Sequence, residues 1–239
     1  MIRLPAAQQA SPRNLLTSLI LVFPLFLVYQ IGVLFTLPML NGADFVTTFL
    51  FASLGLTLKG YLLFLTGVVA VFALALALLK RKQQFNGRVF LPVVLESTIY
   101  ALTMGSLIVL LMTKVLRFPP TLAIGLPEQG LVTRVVMSLG AGVYEETVFR
   151  LGLLGGSIAA FEKLLGMSRW AAISGAFLFS SAVFSFVHYL PPTGDVFTFG
   201  SFTFRLLAGI VFGLLFKLRG FAVAVYTHAF YDIFVLVFR

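Results

Sequence analysis

The chain has two histidines and eight acidic residues in its 239 positions. Among these ten, Glu145, Glu146, His188, His228 and Asp232 fall inside long apolar stretches. An ionisable group at mid-span costs about 2.5–3.5 kcal/mol on insertion scales, so such residues persist where they pair, face a cavity or perform chemistry. One stretch reads Tyr144-Glu145-Glu146-Thr147-Val148-Phe149-Arg150. On a helix Glu146 and Arg150 share a face in the favourable acid-before-base order. Glu145 is rotated by about 100° and can face elsewhere. The spacing gives Glu146 and Arg150 a structural or orienting role and leaves Glu145 free to react. A structural ion pair alone needs one glutamate, not two.

Two further stretches bring the histidines. Phe184-Ser185-Phe186-Val187-His188 runs into Pro191-Pro192, and a proline pair stops a helix because proline lacks the amide donor and restricts the residue before it. Taken singly, His188 also fits a satisfied core or interfacial histidine. Thr227-His228-Ala229-Phe230-Tyr231-Asp232 sets His228 and Asp232 four apart, so the carboxylate can accept the imidazole N–H and fix its tautomer. A structural hydrogen-bonded pair has the same spacing. Two histidines and two surplus carboxylates on three apolar stretches point together to one buried polar centre. Such a centre can activate water through a carboxylate or imidazole base, and stabilise an oxyanion through histidine or arginine. There is no cysteine, no nucleophile elbow, no Walker loop and no helical His-Glu-x-x-His pattern. Water activation within the membrane, hence hydrolysis of a membrane-embedded peptide bond, is the reaction class that fits best.

The elements that must hold these residues are membrane spans. Hydrophobic residues make up 60% of the chain, charged residues only 10%, and the mean hydropathy is +1.06; a soluble domain carries about 25% charged residues. Seven apolar segments can be marked, at roughly 15–40, 45–79, 89–113, 131–156, 169–190, 203–218 and 221–238. The expected fold is therefore all-α and polytopic, with about seven transmembrane helices (six to eight) and the active site inside the bundle. Lys59-Gly60 divides the second segment into an interfacial helix at 45–58 and a span at 61–79. Gly152-x-x-x-Gly156 and Gly209-x-x-x-Gly213 fit close helix approach. The net charge of +9 is spread over segment ends rather than gathered on one face, which argues against nucleic acid as a partner. With the N-terminus in the cytoplasm, ten of the 17 basic residues fall inside, Lys80-Arg81-Lys82 foremost, and five fall outside. The expectation is thus a multi-pass protein of the cell membrane with a cytoplasmic N-terminus. The apolar run after Arg13 is too long for a secretory signal and is expected to be a retained span.

Glu145-Glu146-x-x-x-Arg150, Phe184-x-x-x-His188 and His228-x-x-x-Asp232 resemble the three motifs of the CPBP family. That family groups CAAX prenyl endopeptidases of the Ras-converting type with bacteriocin-processing and immunity-type membrane proteins. The resemblance covers roughly residues 131–238. It divides the chain into N-terminal transmembrane helices over 1–130 and a motif-bearing protease core over 131–239, both within one membrane domain. It implies an all-helical intramembrane endopeptidase acting on a membrane-anchored or C-terminally processed protein. By that analogy Glu145 and His188 activate the attacking water, Glu146 and Arg150 support the site, and His228 with the residue four later stabilises the oxyanion. The last position is often asparagine in the family; Asp232, when ionised, only accepts hydrogen bonds. Asp232 is therefore expected to orient His228, with His228 as the oxyanion donor. The metal-free glutamate mechanism is favoured, because no dense ligand cluster is present. Zinc stays possible on His188, His228 and Glu145 or Asp232.

Depth sets a condition on this scheme. At 1.5 Å per residue Glu145 lies roughly 16 Å from the cytoplasmic end of a span ending at 156, and His228 roughly 12 Å, while His188 at the end of a full outward span lies near the opposite surface. The fifth helix is therefore expected to end inside the membrane, with Pro191 to Ser201 lining the cavity. Two other function classes stay open on these residues. One is a non-catalytic immunity or assembly factor on the same scaffold, and the other is a proton-coupled transporter, which also uses intramembrane carboxylates and histidines.

Overall fold

A computed structural model describes residues 14–54, 57–85, 87–119, 130–190 and 194–238. Among them the chain is helical throughout, without strands. Helix α1 (Leu15–Thr36) is capped by Asn14, whose side chain accepts from the Thr17 amide, and α2 (Phe45–Leu54) follows a loop over 37–44. The division of the second apolar segment falls earlier than Lys59-Gly60. Thr57 caps α3 (Leu58–Leu79) by accepting from the Gly60 amide, so Lys59 and Gly60 sit in its first turn. A hydroxyl cap satisfies an otherwise orphaned amide, and that decides where the helix begins. Helix α4 (Phe90–Leu110) is prolonged by a π-helical turn over Leu111–Val115.

The fourth segment departs most from expectation. Helix α5 (Leu131–Gly140) runs into π-helical stretches at Ala141–Glu145 and Thr147–Leu154, and then into α6 (Gly155–Lys163). The rod thus reaches Lys163, seven residues past its expected end at 156. The chain returns as α7 (Arg169–Val187), α8 (Phe199–Arg219) and α9 (Phe221–Phe238). Gly220, at φ 107°, makes the one-residue corner between α8 and α9, a backbone conformation that side chains disfavour.

Among the described residues six helices are long and apolar enough to cross a membrane, counting α4 with its flanking turns; with the broken α5–α6 rod they make a polytopic all-α membrane protein. Helix α9 sits at the centre, against α4, α5, α8 and α1. Its first nine residues, Phe221 to Ala229, are all buried. Alanines at 222, 224 and 229 let neighbouring backbones close in, which is how helices pack where lipid is as apolar as leucine. Gly142 shows the same device: a Cβ there would stand 2.6 Å from the Val225 carbonyl oxygen of α9. Gly140 likewise makes room for the Tyr29 ring of α1. Of the two small-residue pairs expected at helix contacts, Gly209 and Gly213 meet Ser181 and Phe177 of α7. Around Gly156 nothing lies within 4 Å, and Gly152 meets only its own rod's Thr147 carbonyl. Gly152 lies on the second π stretch and Gly156 on α6, neither against another helix.

The two ends of the bundle differ. At one end the Leu16 amide donates to Gln83 (2.8 Å) and Arg219 pairs with Glu96 (Nη2–Oε2 2.8 Å), joining the starts of α1 and α4 to the ends of α3 and α8. The α1–α2 loop and residues 194–198 lie at the other.

Candidate active site

The site forms where the π-helical rod widens. A π turn shifts backbone bonding from i+4 to i+5 and leaves carbonyls short of a partner. Thr147 Oγ1 donates to the Val143 carbonyl (2.6 Å) and Ser180 Oγ of α7 to the Phe149 carbonyl (2.7 Å), which makes the irregular rod tolerable inside an apolar bundle. Glu145 ends the first wide stretch, Glu146 lies between the two, and they point to different neighbours.

Glu146 is fully buried. Its Oε2 forms an ion pair with Arg150 Nε (3.1 Å), and its Oε1 accepts from His228 Nδ1 (2.7 Å). Arg150, also buried, lies over the rings of Phe184 (4.5 Å) and Phe212 (5.3 Å), and its Nη2 reaches the Gly209 carbonyl (3.4 Å). The i, i+4 pair expected from the sequence is present, and Glu146 does more than pair. It is the carboxylate in hydrogen-bond contact with His228. Asp232, expected in that role, stands at 3.7 Å from His228 Nε2. Helical spacing proposes a partner one turn away, but the rod packed against α9 places a carboxylate closer. Phe212 completes the setting by stacking on the His228 ring (centroids 4.3 Å apart, planes at 17°).

Glu145 faces the cavity. Its Oε2 lies 3.9 Å from His188 Nε2 and 3.9 Å from His228 Nε2, and has no hydrogen-bond partner within the protein. His188 caps α7, and its Nδ1 is 2.7 Å from the Phe184 carbonyl oxygen. A carbonyl only accepts, so Nδ1 carries the proton and a neutral His188 presents Nε2 as an acceptor toward Glu145. All six residues singled out in the sequence are thus brought to one place.

The depth condition is met in a way the segment boundaries concealed. Eighteen residues separate Lys163 from Glu145, and nineteen separate Arg169 from His188. The rod and α7 form an antiparallel hairpin that brings both side chains to one level. Helix α7 runs over 19 residues to Val187, and the depth mismatch came from stopping the preceding rod at 156. The loop beyond it does line the cavity: Leu190, Gly194 and Asp195 face a space of about 510 Å³ together with Glu145, His188, Phe149, Gly42, Ala43 and Phe45. Pro191 and Pro192 lie outside the described residues. The Asp195 amide donates to the His188 carbonyl (2.8 Å), and its carboxylate pairs with Arg205 of α8.

Sequence reasoning passed over the α1–α2 loop. Asn41 Nδ2 donates to Glu145 Oε1 (3.0 Å). A neutral amide in a loop between two spans carries no signal of cost, so nothing in the sequence marked it. Phe212 was equally silent, since one phenylalanine among 27 does not stand out.

Among the described residues Glu145 and the two imidazoles stand wider apart than a bound zinc would hold them. Two ligands on a tetrahedral zinc at about 2.0–2.1 Å stand about 3.4 Å apart, short of the 3.9 Å found from Glu145 to each imidazole. Among the described residues no group of three His, Cys, Asp or Glu side chains is arranged to hold a metal ion.

Residues 127–234 match the family model described as type II CAAX prenyl endopeptidase Rce1-like. Nothing among curated proteins or among solved structures matches the chain. The matched stretch holds all six residues of the site and leaves Asn41 outside it. With its three motifs in order on the π-helical rod, α7 and α9, the C-terminal half of this membrane protein is similar to the Rce1-like family and consistent with the CPBP family.

Proposed function

We propose that the chain is an intramembrane endopeptidase that hydrolyses a peptide bond of a membrane-associated protein by a metal-free, glutamate-type mechanism. The observation that carries the proposal is Glu145 Oε2, unpartnered and equidistant from two imidazole nitrogens. A water about 2.8 Å from both Oε2 and His188 Nε2 subtends roughly a right angle at their 3.9 Å separation, near its own H–O–H angle. Both groups accept, so one water proton points to each. As the water oxygen bonds to the scissile carbonyl carbon, Glu145 takes its proton, with His188 holding the other in line. The carbonyl electrons move onto oxygen. His228, as imidazolium, donates Nδ1–H to Glu146 and Nε2–H to that oxyanion. Collapse breaks the C–N bond, and the proton on Glu145 passes to the departing amine. Arg150 balances the Glu146 charge and keeps that carboxylate turned to His228.

The family description concerns prenylated CAAX proteins, and the proposal for this chain is the coarser one of a membrane-associated protein substrate. No step is routed through a metal; the 3.9 Å spacing of Glu145 from each imidazole supports the metal-free form. A strong zinc chelator should leave cleavage unchanged within about twofold, and its abolition by the chelator would overturn the metal-free form. The function itself is tested by C-terminal sequencing of membrane proteins from cells carrying wild type or Glu145→Ala. New C-termini present in the first and missing in the second are expected; identical sets would end the proposal. Full complementation by a His188→Ala, His228→Ala double variant would instead favour a non-catalytic partner on this scaffold.

A further inference from the structure

We propose that Asn41, from the loop between α1 and α2, is a positioning residue for Glu145, holding Oε1 so that Oε2 is the oxygen presented to His188 and His228. The inference rests on the endopeptidase reading above and adds to the site a residue that lies outside the stretch matching the family.

The geometry fixes both ends of the Asn41 side chain. Oδ1 accepts from the Ala43 amide (2.9 Å) and Nδ2 donates to Glu145 Oε1 (3.0 Å). An asparagine oxygen and nitrogen are assigned from their partners, and here the assignment is forced. An amide donor at one end and a carboxylate acceptor at the other leave a single orientation. The backbone is held as well, since the Asn41 amide donates to Tyr29 Oη (3.1 Å), and the Tyr29 ring lies in the space left by Gly140 on the rod that carries Glu145. Asn41 is 9% exposed, so water does not replace this donor freely. A carboxylate free to rotate about its last bond exchanges its two oxygens. Donation to one of them, from a side chain itself tied down, removes that freedom before the substrate arrives. The next residues of the loop, Gly42 and Ala43, line the cavity, which places Asn41 at its wall.

The test compares wild type, Glu145→Ala, Asn41→Asp and Asn41→Ser. Asn41→Asp keeps the shape and the acceptor for Ala43 but turns a donor into a carboxylate facing Glu145; Asn41→Ser shortens the side chain out of reach without adding charge. C-terminal sequencing of membrane proteins identifies the most strongly processed C-terminus, which is then supplied as a synthetic peptide to the protein in lipid vesicles. Both Asn41 variants should lose about 10–100-fold in kcat, with KM within about twofold of wild type. The melting temperature in detergent should stay within a few degrees for at least one of them. More than half of the wild-type kcat in either variant, or a loss that resides in KM or in melting for both, overturns the positioning role. Glu145→Ala separates the two levels. If it is inactive while Asn41→Asp is fully active, only the role of Asn41 falls. If Glu145→Ala yields the same C-termini as wild type, the endopeptidase reading falls and Asn41 with it.

Discussion

His228 shows how much chemistry at one ring depends on neighbours that one-dimensional spacing cannot rank. The motif pairs it with Asp232, yet its close partner is Glu146, with Phe212 stacked on its face. Phe212→Leu should keep most of the core volume and lose the stacking, worth about 0.5–1.5 kcal/mol. Peptide cleavage is expected to fall about 3–10-fold with little change in melting temperature, read from steady-state kinetics and thermal melting in detergent. Asp44 offers a separate case outside the spans. It is fully buried, accepts from the Thr47 amide (3.0 Å) at the start of α2, and its second oxygen has no partner. Burial pushes its carboxyl above the ordinary carboxylate range, against the opposing bonds from Thr47. A raised carboxyl pKa means that the folded state holds the proton more tightly, so stability is lost as pH rises through the folded value. Asp44→Asn keeps an acceptor for the cap and removes that loss. Its melting temperature should match wild type near pH 4 and exceed it increasingly toward pH 8, whereas Asp44→Ala should be destabilised at both, by about 0.5–2 kcal/mol. Glu145, Glu146, His188, His228 and Asp232 were legible because each is costly in an apolar run. Asn41 and Phe212 were not, because neutral and apolar residues fit the same runs at no cost.

At the level of elements, hydropathy located the spans and misplaced their ends. The rod through Glu145 was expected to stop at 156, but backbone hydrogen bonding carries it to Lys163. That difference alone made Glu145 and His188 seem too far apart in depth. The π-helical stretches were likewise invisible, since a π turn is set by what packs against it rather than by a residue code. Gly142 gives the consequence a measurable form. Alanine there meets the α9 backbone at about the distance of a clash and should force the rod from α9, lowering the melting temperature and cleavage together. Gly156→Ala, with nothing within 4 Å, should be neutral or slightly stabilising, because alanine favours a helix by about 1 kcal/mol. Equal effects from the two substitutions would contradict the packing described for the rod.

For the molecule as a whole, the N-terminal helices are part of the site rather than a mere anchor for it. The family match begins at residue 127, yet the cavity wall includes Gly42, Ala43 and Phe45, and α1 packs on α5 and α9. A chain limited to residues 127–239 should therefore yield none of the Glu145-dependent C-termini, and co-expression of residues 1–119 should restore a measurable fraction. Activity from the shorter chain alone would show that the first half is dispensable. The two ends of the bundle carry a last consequence. Lys80-Arg81-Lys82 follows α3 at the end where α1 starts, whereas Gly194 and Asp195 stand at the opposite end. If the basic cluster faces the cytoplasm, the entrance opens to the exterior. In this naturally cysteine-free chain, Gly194→Cys should react with a charged maleimide added to intact cells and Lys82→Cys only after permeabilisation. The shed piece of a cleaved protein would then leave on the far side of the bilayer from the ribosome.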